Sequence, residues 1–355
     1  MLTLWLGHIF HVIMSFLKYI VSIFLLFFLG CTENKNKIGE ERKQILVTDF
    51  TGNKIELSQP AERVVVLFDP SLDAVYMLGA SEKLVGVPVE VYSDEELYQY
   101  YAAIDERILE KKMATPGTKK SSNIESIVAL NPDLVVLAGS SESFVKNLSK
   151  LNIPVYNVKS ETYDDILKEL QDLGKLLGKE ERSKSLVDFT KAKFESIKNR
   201  RSKNNKALKT AYFAWANGRI FSTTGTNSMM HTCLELAGVK NVCTTPIDQP
   251  NINPETFVSW NPYMVIMWND SPNLFYDKKQ LEGVTAIKER QIYTLMPMFY
   301  YNPHTLKALL TTLKINFWAY GELTQEDLGK EVEDILQTLY GKDKGGKLYK
   351  KLNNH

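Results

Sequence analysis

The segment Asn123-Ile-Glu-Ser-Ile-Val-Ala-Leu-Asn-Pro-Asp-Leu-Val-Val-Leu137 has a counterpart 130 residues later. This is Asn253-Pro-Glu-Thr-Phe-Val-Ser-Trp-Asn-Pro-Tyr-Met-Val-Ile-Met267, with Asn, Glu, Val, Asn, Pro and Val at the same six of fifteen positions. Each copy reads as a polar cap, a short helix, an Asn-Pro stop and then an apolar strand. A strand that is apolar throughout is buried on both faces, as in a parallel sheet covered by helices. Two such units in α/β surroundings predict two similar three-layer lobes rather than one large sheet.

The flanking sequence agrees with that division. Ile45–Thr48 and Ile55–Leu57, joined by Thr51-Gly52-Asn53, read as a hairpin, and Arg63–Leu67 as a buried strand running into Asp69-Pro70-Ser71 and a short helix stopped by Gly79. Between the lobes lies a helical tract. Tyr163, Ile166, Leu167, Leu170, Leu173, Leu176 and Leu177 form one apolar stripe, and Leu186, Phe189, Phe194 and Ile197 a second beyond Gly178. Some 20 residues of helix span about 30 Å and act as a stiff strut. The predicted α/β object is two lobes joined by a long rigid backbone helix, with a ligand cleft between them. Its lobes are residues 44–175 and 206–342, its connecting helix 176–205, and its end a polar tail, 343–355.

The first thirty residues are of another kind. They hold one formal charge, Lys18, and a single helix spanning a membrane through all of them would put that charge near mid-bilayer. The largely apolar stretch of twelve residues Tyr19–Gly30 has the length of an export signal's apolar region, with Met1 or Met14 as the start. Phe28-Leu29-Gly30-Cys31 resembles a bacterial lipobox, which implies a signal over residues 1–30, lipidation of Cys31 and a polar tether over 31–43. A plain signal peptide or an uncleaved anchor is the alternative. A lipid-anchored protein works outside the cytoplasm at a membrane surface. With 43 Lys+Arg against 42 Asp+Glu, the chain lacks the basic excess of a nucleic-acid binder, and three cysteines cannot make a disulfide scaffold.

No catalytic motif stands out: there is no Gly-x-Ser-x-Gly elbow, His-Glu-x-x-His helix or Walker loop. The expectation is a chain with no catalytic residues and no cofactor of its own. A lipid-anchored hydrolase or metal-inserting enzyme is the alternative of a different class, since a Ser–His–Asp triad can be scattered along a chain. Cys233 and Cys243 are either one disulfide or two buried hydrophobes. The aromatic and sulfur-rich loops carry more. Met296–His304 precedes an apolar helix with His304 expected in its first turn, and Trp215-Ala216-Asn217 and Trp268-Asn269 each follow an expected strand, where α/β folds place ligands. Asp69, Ser71, Gly117, Thr118, Ser140 and Ser141 offer polar groups from the other lobe. Tyr300, Tyr301 and above all His304 carry atoms that ligate a metal, and aromatic faces pack a macrocycle or aryl chelator; alternatively that loop simply caps the sheet. Among the acids, Glu125 closes an expected capping box with Ser122, Glu255 holds the matching place, and Glu235 ends a helix closed by Gly238.

Taken in order from Ile45 to Tyr340, these motifs resemble the substrate-binding lipoproteins of ATP-binding-cassette importers. Within these, they resemble the class with a rigid helical backbone that includes the ferric-siderophore, haem and cobalamin binders. The segments carrying the resemblance are Arg63–Leu67, Leu78-Gly79-Ala80, Val85-Gly86-Val87, the two helix-stop-strand segments, Leu234–Gly238 with Asn241-Val242, and Asn302-Pro303-His304. The resemblance implies a monomer that holds its ligand in the interlobe cleft. One glutamate per lobe, Glu125 and Glu255, with Glu235 as a rival, would dock on a permease dimer with its ATPase subunits. The ligand expected is an iron or other transition-metal chelate; nickel or cobalt chelate, haem, cobalamin and molybdate stay open. An arginine commonly stands at the place of His304 in siderophore binders, and a tyrosine at that of Thr118 in haem binders.

Overall fold

The computed structural model describes residues 44–118, 123–139, 142–203 and 206–354, the side chains of 201–203 apart. The signal, Cys31, the tether and Ser140-Ser141 lie outside the described residues. β1 (Ile45–Thr48) and β2 (Lys54–Leu57) form the expected antiparallel hairpin. Its turn is held by the Asp49 carboxylate, which accepts from the backbone N–H of Thr51 at 2.8 Å and Asn53 at 2.9 Å.

Two parallel four-stranded sheets follow. The first contains β3 (Val64–Val66), β4 (Leu84–Gly86), β5 (Leu134–Ala138) and β6 (Val155–Val158) in the order β4-β3-β5-β6. The second contains β7 (Thr210–Ala214), β8 (Lys240–Asn241), β9 (Met264–Trp268) and β10 (Ile292–Leu295) in the order β10-β9-β7-β8. Counted within each lobe the spatial order is the same, 2-1-3-4. The echoed strands, β5 and β9, are the third of each set. Val64–Val66, Leu134–Val136 and Met264–Met267 are fully buried, because helices cover both faces.

The first lobe carries α1 (Asp69–Met77), α2 (Glu95–Ile104), α3 (Ile124–Ala129) and α4 (Tyr163–Leu176). α5 (Glu180–Lys203) is the strut, at 24 residues about 36 Å long. α6 (Met229–Leu236) and α7 (Pro254–Trp260) lie in the second lobe, and α8 (Ala308–Tyr320), α9 (Gln325–Tyr340) and α10 (Lys342–Leu352) complete the chain. The strut is fastened near both ends. Arg182 donates to Met77 O at 3.0 Å and Thr338 O at 2.6 Å, and Arg200 meets both carboxylate oxygens of Glu331 at 2.6 and 2.8 Å.

α3 and α7 are built alike. Each is capped by an asparagine whose Oδ1 accepts a backbone N–H: Asn123 from Ser126 at 3.1 Å and Asn253 from Thr256 at 2.8 Å. Asn131 and Asn261 turn the chain through left-handed geometry, φ 48° and 43°, ahead of Pro132 and Pro262. The expected Ser122–Glu125 capping box is therefore corrected: Asn123 is the cap, Ser126 occupies the third helical place, and Glu125 has no capping task.

The expected polar tail at 343–355 is also corrected. Through Leu352 it is α10, which packs on α2 with Leu348 fully buried, while Lys344 Nζ donates to Ser81 Oγ at 2.9 Å. The Gly345-Gly346 pair resembles a linker in sequence. In the fold a Cβ on Gly345 would lie 2.4 Å from Leu336 O, so the glycine lets α10 close on α9. The chain after residue 320 thus returns to the first lobe, and that lobe's boundary is not a single stretch of sequence.

Candidate ligand-binding site

The residues nominated from sequence emerge at the C-terminal ends of both sheets, where backbone groups and loops are left for a ligand. Asp69 and Ser71 follow β3, Trp215 and Asn217 follow β7, Trp268 ends β9 with Asn269 next, and the Met296–His304 loop follows β10; Ser160, not nominated, follows β6. Gly117 is buried at the β4 edge, its carbonyl accepting from Val89 N–H at 3.0 Å, and Thr118 beside it is half-buried.

One hydrogen-bonded chain joins the two sheets. Glu169, on α4 and 3% exposed, accepts from Ser71 Oγ at 2.5 Å through Oε1 and from Ser160 Oγ at 3.0 Å through Oε2. The Ser160 carbonyl in turn lies 2.7 Å from His304 Nδ1. A carbonyl only accepts, so Nδ1 carries the hydrogen and a neutral ring has its lone pair on Nε2, the form that ligates a metal. Burial raises the Glu169 carboxyl to about 7, against the two serine hydroxyls that favour its charged form. Burial likewise raises Asp69 to about 6, opposed by its own backbone N–H and by Lys307.

Deeper in, Lys307 Nζ meets Asp73 Oδ2 at 3.0 Å, both side chains 2% exposed, and the Tyr340 hydroxyl also donates to Asp73. Lys307 lies 3.5 Å over the Phe299 ring. Burial lowers its ammonium and Asp73 opposes the shift. This pair ties α1 to the segment after β10. In the second lobe the Trp215 and Trp268 rings stack 5.7 Å apart at 27°, both partly exposed, and Trp215 Nε1 donates to Thr223 O at 2.8 Å. Asn217 and Asn269 hold their loops in the left-handed region, φ 65° and 48°, and Gly218 N–H donates to Asp270 at 2.7 Å, linking the two loops.

Several nominated residues are placed differently from expectation. Tyr300 is a core residue: fully buried, edge-on to Tyr100, its hydroxyl donating to Leu348 O at 2.7 Å. Tyr301, 6% exposed, lines a cavity of about 530 Å³ with Met296, Lys314, Leu328 and Tyr349, walled mostly by the C-terminal helices. The Tyr100–Phe299–Tyr300 stack that draws in this loop is a packing choice invisible to local pattern. His304 precedes α8 rather than opening it, and Asn302 Oδ1 holds its backbone N–H at 2.9 Å. Ser140 lies outside the described residues. Cys233 and Cys243 are both free and buried, and burial pushes the Cys233 thiol up to about 12. Glu125 and Glu255 are exposed and make no side-chain hydrogen bond or ion pair among the described residues, whereas Glu235 lies 3.5 Å from His231 Nε2.

Sequence reasoning missed Glu169, Asp73, Ser160 and Lys307. A signal existed for Glu169: it sits three residues after Ile166 and four before Leu173, on the apolar stripe, where a lone acid needs partners. Among the described residues no three His, Cys, Asp or Glu side chains are arranged to hold a metal ion.

A family model described as "Periplasmic binding protein" matches residues 64–298. The molybdate-binding protein MolA of Haemophilus influenzae is 25% identical over 326 residues, covering 83% of this chain and 90% of that protein. The Fe(3+)-citrate-binding protein YfmC of Bacillus subtilis is 29% identical over 188 residues, half of this chain and 56% of its own length. The solved structure of MolA bound to molybdate superposes with a TM-score of 0.69 at 23% identity, covering 83% of this chain and 97% of that one. The chain therefore belongs to the periplasmic binding protein family, the extracytoplasmic solute-binding components of ATP-binding-cassette importers.

Proposed function

We propose that this protein captures a transition-metal chelate, an iron complex first among them, between the strand ends of its two lobes and hands it to a permease dimer. The observation that carries the reading is His304. Its Nδ1 is pinned to the Ser160 carbonyl across the lobes, which fixes the tautomer and orientation of an imidazole held at the strand ends. One imidazole completes a coordination sphere that the chelator otherwise supplies. The stacked Trp215–Trp268 pair offers aromatic surface for the chelator's organic part. Electrostatics favours such a ligand over a bare oxyanion. Asp69 occupies the first turn of α1, where an anion would otherwise sit, and the Lys307 charge is matched by Asp73. The similarity to an Fe(3+)-citrate binder supports the iron assignment. Molybdate is the second reading, favoured by the molybdate-binding relative that spans most of the chain. Lipidation at Cys31 would hold the protein at the membrane, and Glu125 and Glu255, exposed at matching places, would meet basic residues of the permease.

The test is a fluorescence titration with ferric citrate, ferric siderophores, nickel– and cobalt–histidine, haem, cobalamin and molybdate. A ferric chelate should saturate and change the emission of Trp215 and Trp268. His304→Ala should weaken it on the order of tenfold or more, the loss of one metal–ligand bond. Saturation by molybdate alone, or unchanged affinity in His304→Ala, would refute the chelate reading. Release of a chemically altered ligand would move the protein to the enzyme class.

A further inference from the structure

The two echoed segments share six identities, and the fold accounts for four. Asn123 and Asn253 cap helices, Asn131 and Asn261 end them left-handed, Pro132 and Pro262 stop them, and Val135 and Val265 are buried in β5 and β9. The two left over are Glu125/Glu255 and Val128/Val258. Neither pair lies in a core: the glutamates are exposed, and the valines are 39% and 42% exposed. Other places on the same helices differ freely, such as Ile124/Pro254, Ala129/Ser259 and Leu130/Trp260. Residues three apart on a helix stand side by side, so each lobe presents one acid next to one part-exposed valine. Ile127 and Phe257, fully buried, fasten the inner faces of α3 and α7 and so fix what the outer faces show.

We infer that Val128 and Val258 are the apolar halves of two equivalent docking points. Each would enter a small apolar pocket beside a basic side chain on the permease dimer. The inference rests on the proposed docking through Glu125 and Glu255 and adds a contact to it. A patch that recurs on two lobes of the same topology fits a partner that displays one surface twice. The acids favour a protein partner over a membrane, since an anionic lipid surface repels carboxylates.

The test measures binding of the full chain to its permease–ATPase complex in nanodiscs by biolayer interferometry. Val128→Ala/Val258→Ala should weaken binding on the order of tenfold or more, the worth of burying the removed methyls at two sites, and Val128→Arg/Val258→Arg more still. Fluorescence titration with ferric citrate and the thermal midpoint should not change. Leu151→Ala/Leu208→Ala, at two other exposed apolar positions, both 52% exposed, should bind as wild type. Binding by both valine variants within about twofold of wild type would overturn the inference. If Glu125→Arg/Glu255→Arg then abolishes binding, only the apolar contact falls; if it too binds normally, docking through these helices falls altogether. Loss with the valine variants alone would uphold the apolar contact and remove the glutamates.

Discussion

Lys307→Met keeps the length of the side chain and removes its charge, leaving Asp73 buried with only the Tyr340 hydroxyl as donor. Breaking one half of a buried pair costs about 3–5 kcal/mol, because the remaining ion has lost its counter-charge and cannot reach water. The surviving Tyr340 hydrogen bond places the cost near the lower figure. Against a total stability of about 5–15 kcal/mol that is a large fraction. With a urea slope of about 3 kcal/mol/M for a chain of this size, the midpoint should fall by about 1 M. The assay is urea unfolding followed in parallel by far-ultraviolet circular dichroism and by tryptophan emission. Because the pair connects α1 to the segment after β10, both signals should move together. Asp73→Leu/Lys307→Met, which removes both charges, should recover most of the loss. A midpoint shift under about 0.3 M for Lys307→Met would show that Asp73 is not stranded, and would refute the reasoning.

Glu169 holds its proton to about pH 7 in the folded chain against 4.5 for an ordinary glutamate, so the folded state binds the extra proton between those values and stability falls as pH rises through the window. Glu169→Gln does not titrate, and from pH 5 to 8 wild type should lose on the order of 3 kcal/mol relative to it in denaturant unfolding; parallel pH profiles would refute this. Gly225→Ala places a Cβ 2.0 Å from Ile247 O and 2.3 Å from Thr245 O, backbone atoms that cannot swing aside, and should lower stability by about 1–3 kcal/mol or more; an unchanged thermal midpoint would contradict it. Cys233 and Cys243 should stay unreactive to an aromatic disulfide reagent until the chain is unfolded and then both react, while a missing thiol count after unfolding would reveal a bridge.

The parts of the fold legible in sequence are those fixed by neighbours along the chain. Val64–Val66 and Leu134–Ala138 announce buried strands by being apolar throughout, and the Asn-Pro stops mark where α3 and α7 end. The 2-1-3-4 order in both lobes gives the echo its meaning. The parts that were not legible depend on what packs from far away. Lys307 looks like any lysine ahead of a helix, and only Asp73, more than two hundred residues earlier, explains its burial. Tyr300 and Tyr301 look like ligands because a phenol is amphipathic; Tyr100, Phe299 and α10 claim them for the core. Of the candidate site, the strand-end positions of Asp69, Ser71, Trp215, Trp268 and His304 could be read, but the carboxylate that links Ser71 to Ser160 could not. An acid on a helix face declares its partners only when the sheet beside it has been placed.

The return of α9 and α10 to the first lobe sets the order in which this protein can be completed. During synthesis and export the residues of β3 to β6 appear first, yet Tyr76, Ser81 and the outer side of α2 wait for Tyr340, Lys344 and Leu348 to cover them. The earliest lobe to emerge is thus the last to close, and until the final dozen residues arrive it exposes apolar surface that a translocating chain must be shielded from burying wrongly. A premature stop within the last helix would uncover Tyr76 and the outer side of α2 in the first lobe, far along the chain from the residues lost.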